Sequence, residues 1–160
     1  MANATKTFVQ FGAGNIGRSF IGRLFAEAGY RVVFIDVDSR LVSLLNERRS
    51  YPVVVKQNDR PDQVRMIGGV SAIDGRDREA VIDVLTQADG MATSVGQRGL
   101  QAVLPLLAAA LALRAANNAP PLDLIIAENL RSGAAWFRQN LGPLLPEGFD
   151  LDSRLGLVET

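Results

Sequence analysis

The feature that most restricts the fold of this chain is the segment FGAGNIGR, residues 11–18, in which Gly12, Gly14 and Gly17 are spaced G-x-G-x-x-G. Three positions without side chains at this spacing suit a strand that turns sharply into a helix. The first allows the turn, the second lets a ligand approach the backbone, and the third lets the helix pack on the strand. The flanks agree. TFVQF is a short β-leaning apolar run ending at the glycines, and Ile16, Phe20, Ile21, Leu24 and Phe25 then recur at helical spacing. Gly29 reads as a helix stop, and RVVFID as a strand buried on both faces. A β-α-β unit is thus complete by Asp36.

The alternation continues to the end. SRLVSLLNER predicts an amphipathic helix capped by Asp38, and YPVVVK a strand whose Pro52 suits a start or an edge. Residues 57–61 read as loop, and QVRMIGGVSAI as one or two short strands bent at Gly68–Gly69. REAVIDVLTQA is read as helix, GMATSVG as strand, LQAVLPLLAAALALRAA as a long apolar helix, LDLIIAEN as a buried strand and GAAWFRQNL as helix. After the loop GPLLPEGFDLDSR, LGLVET begins as a further strand. Such alternation predicts an α/β, doubly wound, mostly parallel sheet with helices on both faces, which is a Rossmann fold. Residues 1–160 are read as one such domain, with a further domain expected beyond 160 because the last predicted strand is cut short.

Composition narrows the function classes. Seventeen basic residues balance seventeen acidic ones, so no global field draws in nucleic acid or an anionic membrane, and neither is expected as a partner. The chain has no cysteine and no histidine, which removes disulfides, thiolate metal sites and the commonest near-neutral base; no metal site is expected. The start, MANATKTFVQ, shows no secretory pattern, and a cytoplasmic location is expected. The apolar run from Val103 to Leu113 is shorter than the roughly 20 residues that cross a bilayer and reads as a buried helix.

The glycine turn predicts a pyrophosphate at the helix start, where free N–H groups and the helix dipole favour an anion. Asp36 lies about 20 residues beyond the last glycine, at the tip of the next strand, where a carboxylate accepts both ribose hydroxyls. Its charge would repel the 2′-phosphate of NADP, so NAD is the expected cofactor. Arg40 reads as a solvated side chain or as one that accommodates that phosphate. Arg18 reads either as a pyrophosphate contact or as an exposed arginine. Ligands in open α/β sheets bind beyond the carboxyl ends of the strands where strand order reverses, which brings in Val95, Gly96, Glu128 and Asn129. For Val95 and Gly96 an ordinary turn is an equal reading. For Glu128 and Asn129 the alternative is a capping pair for the next helix, against an Asn129 amide that donates to an oxygen gaining charge in a reaction. Trp136 reads as core or as a covering side chain.

The stretches FGAGNIGRSFIGRLFAEAG, FIDVD, LLNERRSYPVVV, SVG and IIAENL follow in order the pattern of mannitol-1-phosphate 5-dehydrogenases, which belong to the polyol-specific long-chain dehydrogenases. The chain resembles their N-terminal domain over essentially its whole length. The resemblance implies that the full protein interconverts mannitol 1-phosphate and fructose 6-phosphate by hydride transfer to or from NAD. It matches Gly12, Gly14, Asn15, Ile16, Gly17 and Asp36 to dinucleotide-binding positions, Val95 and Gly96 to the segment under the nicotinamide ribose, and Asn129 to a position near the reacting carbonyl, half of an oxyanion site. The family's lysine base, with its asparagine and histidine, belongs to a second domain and matches nothing here. The fragment is therefore expected to bind NAD without turnover, with a polyol or polyol phosphate as substrate and its own C-terminal domain as partner. Two other classes share parts of the pattern: a nucleotide-sensing regulatory domain, and an S-adenosylmethionine methyltransferase, which Gly17 disfavours.

Overall fold

The structure, a computed structural model, describes residues 5–160; residues 1–4, part of the segment read for a leader, lie outside the described residues. The chain runs β1 (Thr7–Phe11), a π-wound segment (Gly17–Gly22) leading directly into α1 (Arg23–Glu27), β2 (Arg31–Asp36), α2 (Ser39–Arg48), β3 (Ser50–Val55), β4 (Gln63–Gly68), β5 (Val70–Asp74), α3 (Arg78–Thr86), β6 (Gly90–Thr93), α4 (Gly96–Ala116), β7 (Leu122–Ile126), α5 (Gly133–Leu141), the single turn α6 (Leu151–Arg154) and β8 (Leu155–Glu159).

Six strands form one parallel sheet in the order β5-β2-β1-β6-β7-β8. The chain builds outward from β1 to β5, returns to β6 beside β1, and then builds outward the other way. Strand order therefore reverses between β1 and β6, where Val9 pairs with Val33 on one side and Met91 on the other. A crevice opens at the carboxyl ends of strands at such a reversal. The central strands are buried because both faces are covered: all of β1 and Val32 to Ile35 of β2 are buried.

The larger core lies between the sheet and α3, α4 and α5, where Leu100, Leu107 and Leu111 of α4 meet Val9, Val33 and Leu124. Truncating any of these fully buried leucines to alanine costs about 2–5 kcal/mol. On the other face, Val32, Phe34 and Ala72 pack with α1, α2 and the β3–β4 hairpin. Arg114, 5% exposed, donates from Nη1 to the carbonyls of Leu85, Thr86 and Ala88 and from Nη2 to that of Pro120. It ties the end of α3 to the loop before β7, and burial pushes its guanidinium below the ordinary value.

Three features differ from the sequence expectation, and a fourth decides between two readings. The strands YPVVV and QVRMIG form a separate antiparallel hairpin instead of joining the main sheet. This suits Pro52, since β3 has only one neighbour and its other edge needs no donor. Gly69, at φ +71, separates β4 from β5, so QVRMIGGVSAI resolves into the two-strand reading. The long apolar helix reaches from Gly96 to Ala116, 21 residues, which is long and apolar enough by length and composition to cross a bilayer. It is nonetheless the central core helix, with half of its apolar window buried inside the domain. Last, Ile16, Phe20 and Leu24, an i, i+4, i+8 stripe, are 50%, 49% and 43% exposed, while Ile21 is buried. The turn is π-wound there, which rotates the stripe away from the sheet.

Candidate functional site

At the β1 tip the three glycines have separate physical reasons. Gly12 has φ +88, donates its N–H to the Ile35 carbonyl at 2.8 Å, and a Cβ there would stand 2.5 Å from the Ser94 carbonyl oxygen. A Cβ on Gly17 would overlap the Gly12 carbonyl oxygen. Gly14 is different. It is exposed, its φ lies outside the positive range, and an added Cβ would meet nothing within 4 Å. Packing demands the first and third glycines, whereas the second leaves room that no part of the chain fills.

A fourth glycine belongs with them. A Cβ on Gly22 would lie 2.6 Å from both the Gly17 carbonyl oxygen and the Phe34 ring. Gly17 and Gly22 bound the π-wound segment, so the five-residue spacing is the sequence signal for it. Below the turn, fully buried Gln10 donates from Nε2 to the Phe11 carbonyl at 2.7 Å and to Ser94 Oγ at 3.0 Å. Its place as the lone amide in TFVQF was the available clue. From the hairpin, the Tyr51 hydroxyl donates to the Arg18 carbonyl at 2.7 Å. Arg18 is half-buried, and Arg40 is exposed.

Asp36, at the β2 tip, accepts from the Ala13 N–H at 2.7 Å and from the Asp38 N–H at 3.0 Å. Its carboxylate is held at the glycine turn by main chain alone, and no ion pair to it appears among the described residues. Asp38 caps α2, accepting from the N–H groups of Arg40 and Leu41. Beside them Arg76 pairs with Asp74 at 2.7 Å and donates to the Val37 carbonyl at 3.1 Å; its hydrogen bonds hold the Asp74 carboxyl down at about 2. Between the tips of β1, β2 and β6 lies a cleft of about 290 Å³ lined by Gly14, Asp36, Val37, Gly75, Ser94 and Val103, among others. A larger hollow, about 860 Å³, sits on the outside of the α3–α4 layer among exposed side chains and away from the glycine turn.

On the other side of the reversal, Val95 and Gly96 begin α4. Glu128, after β7, accepts from the Val95 N–H at 2.7 Å through one carboxylate oxygen and from the Gly96 N–H at 2.9 Å through the other. It caps α4, not the following helix, which corrects the capping-pair reading. Helix α5 instead receives the carboxylate of Glu159, which accepts from the Ala134 N–H at 2.7 Å. Asn129 is exposed beside Glu128, in a hollow of about 540 Å³ shared with Val95 and Gly96. Trp136 packs partly buried against the main core. The glycine turn, Asp36, Val95 and Gly96, and Asn129 all lie at one end of the sheet.

The open space at Gly14, the N–H groups of a helix start, and a carboxylate at the neighbouring strand tip fit the pyrophosphate and ribose of a nicotinamide dinucleotide. Residues 6–150 match the mannitol dehydrogenase Rossmann domain. The chain is 43% identical over 127 residues to a mannitol-1-phosphate 5-dehydrogenase of Geobacillus stearothermophilus, covering 79% of this chain and 33% of that protein. It is 40% identical over 139 residues to one of Brevibacillus brevis, covering 87% of this chain and 36% of that protein. The chain thus spans about a third of the length of the curated relatives it matches. A substrate-free D-sorbitol dehydrogenase superposes with a TM-score of 0.71 at 16% identity, over 86% of this chain and 37% of its own. A UDP-glucose dehydrogenase of Pyrobaculum islandicum does so with 0.60 at 14%, over 99% of this chain and 36% of its own; these two likenesses show the fold. The chain belongs to the mannitol dehydrogenase family, of which it carries the Rossmann domain.

Proposed function

We propose that this domain binds NAD across the tips of β1, β2 and β6 and that, within a longer protein, it serves the interconversion of mannitol 1-phosphate and fructose 6-phosphate. The observation that carries the binding reading is Gly14, which the fold does not require to be glycine and which keeps clear the space a phosphate would take. Gly12 and Gly17 shape the turn, and Asn15 and Ile16 supply main-chain N–H groups at the helix start. Asp36 takes the ribose hydroxyls. Its charge, anchored by Ala13 and Asp38 and unpaired with any cation among the described residues, favours NAD over NADP. Cytoplasmic residence, proposed with this reading, rests on a chain without cysteine.

When bound, NAD supplies the hydride acceptor. Val95 and Gly96 support its nicotinamide half, and the Asn129 amide donates to the substrate oxygen as that oxygen gains charge. The proton of the hydroxyl goes to a lysine on a further domain, which the resemblance implies and the relatives' length accommodates. Calorimetric titration of this chain with NADH and NADPH tests the reading. Saturable binding that prefers NADH is expected, with no oxidation of mannitol 1-phosphate. Binding of neither nucleotide overturns the site, and turnover by these 160 residues alone overturns the division of labour.

A further inference from the structure

We propose that Glu128 is a positioning residue for the nicotinamide half of the dinucleotide, acting through the main chain of Val95 and Gly96; this rests on the dinucleotide reading above. Val95 has φ −107 and ψ −5, in the right-handed region, and Gly96 follows at φ +73. A right-handed residue followed by a left-handed one turns successive N–H groups to the same side and forms a concave seat for an anion. The seat opens at the start of a 21-residue helix, whose dipole adds positive potential. Glu128 fills it, one oxygen to each N–H, at 2.7 and 2.9 Å. Paired hydrogen bonds to a charged acceptor fix geometry more firmly than single neutral ones.

Two consequences follow from that occupancy. The seat at α4 is closed to a phosphate, so the pyrophosphate goes to the glycine turn, where Gly14 leaves open space. In addition, one carboxylate joins the loop after β6 to the loop after β7, and the latter carries Asn129. The Leu130 N–H donates to the Glu128 carbonyl at 2.9 Å, which closes a tight turn around Asn129. The two segments that meet the reactive end of the cofactor therefore keep a fixed separation as long as Glu128 bridges them. The adenosine half, held by Gly14 and Asp36, does not depend on this bridge.

The test uses the full chain and its Glu128→Ala and Glu128→Gln variants, titrated with NADH and with ADP-ribose, which lacks the nicotinamide. In parallel, hydrogen exchange of the Val95 and Gly96 amides is followed by NMR. Glu128→Ala is expected to weaken NADH about tenfold and ADP-ribose less than about twofold, and to speed exchange at both amides. Glu128→Gln keeps the shape and one acceptor, so its NADH affinity falls between. Equal losses for both ligands, or an unchanged NADH affinity, would overturn the proposal. Unchanged amide exchange in Glu128→Ala would overturn the bridge even with NADH bound normally by the wild type. A wild-type chain that binds neither ligand sinks the dinucleotide reading and the positioning role together, and the exchange data then still report on the bridge by themselves.

Discussion

The helical segment after β1 and helix α4 both begin at the crevice between β1 and β6, and the chain leaves one start open while filling the other with its own carboxylate. At the first, Asp36 reaches only the Ala13 N–H and Gly14 has clear space around it. At the second, Glu128 takes both the Val95 and the Gly96 N–H. The same device recurs where Glu159 of β8 accepts from Ala134 at the start of α5. In each case a carboxylate at or just beyond a strand tip reaches the turn after the preceding strand of the sheet. A carboxylate from the neighbouring strand thus caps two helix starts of this sheet, whereas at the glycine turn it reaches only Ala13 and leaves the space beside Gly14 clear.

The comparison breaks most readily at the third glycine. Gly17→Val puts a Cβ where the Gly12 carbonyl oxygen lies, and neither backbone can give way without losing the turn. A loss of more than about 3 kcal/mol in denaturant unfolding is expected, and NADH binding disappears with the fold. Gly14→Val separates the two roles. With nothing within 4 Å, the domain should melt within about 2 °C of the wild type while NADH affinity falls about a hundredfold or more. Equal stability losses in the two variants would show that both glycines serve packing, and the open turn would lose its meaning.

Asp36→Ala comes next, since it removes two main-chain hydrogen bonds together with the ribose contact proposed above. NADH affinity should fall about tenfold and the preference over NADPH should shrink by a similar factor in parallel titrations. Unchanged affinity for both nucleotides would take Asp36 out of the ribose role and leave it as a cap like Glu128.

The alternating apolar segments make the sheet, the crevice and the side of the glycine turn readable from the sequence. FGAGNIGR, Asp36 and Asp38 sit where the spacing and capping rules put them, because those rules concern local backbone geometry. What escaped depends on contacts distant in sequence. Glu128 was tied by proximity to Asn129 and the next helix, but its partners are 32 and 33 residues away across the sheet. Arg114 is one charge on an apolar helix, and only the fold brings Leu85, Thr86, Ala88 and Pro120 around it. The hairpin escaped because β-propensity says that YPVVVK extends, not which strand it pairs with. The π-wound segment was legible in principle from Gly17 and Gly22, yet the apolar period after Asn15 fits an ordinary helix equally well.

An open turn without a capping side chain needs bracing from elsewhere, and Tyr51 of the hairpin provides it at the Arg18 carbonyl. Tyr51→Phe removes the hydroxyl and leaves the ring against Phe34, so the expected loss is small, about 1 kcal/mol in denaturant unfolding. NADH affinity should fall no more than about twofold, because the helix start is loosened and not rebuilt. The pH dependence sharpens the assignment. Burial pushes the Tyr51 phenol well above its ordinary value, with the guanidiniums of Arg18 and Arg23 only partly opposing it. An acid whose folded pKa is raised contributes its full stability below the unfolded value and loses it as pH rises beyond that point. The wild type should therefore lose stability above about pH 10 more steeply than Tyr51→Phe does. Parallel alkaline slopes would mean that the phenol is ionised as easily in the folded chain as in the unfolded one, and that burial does not hold its proton at the Arg18 carbonyl.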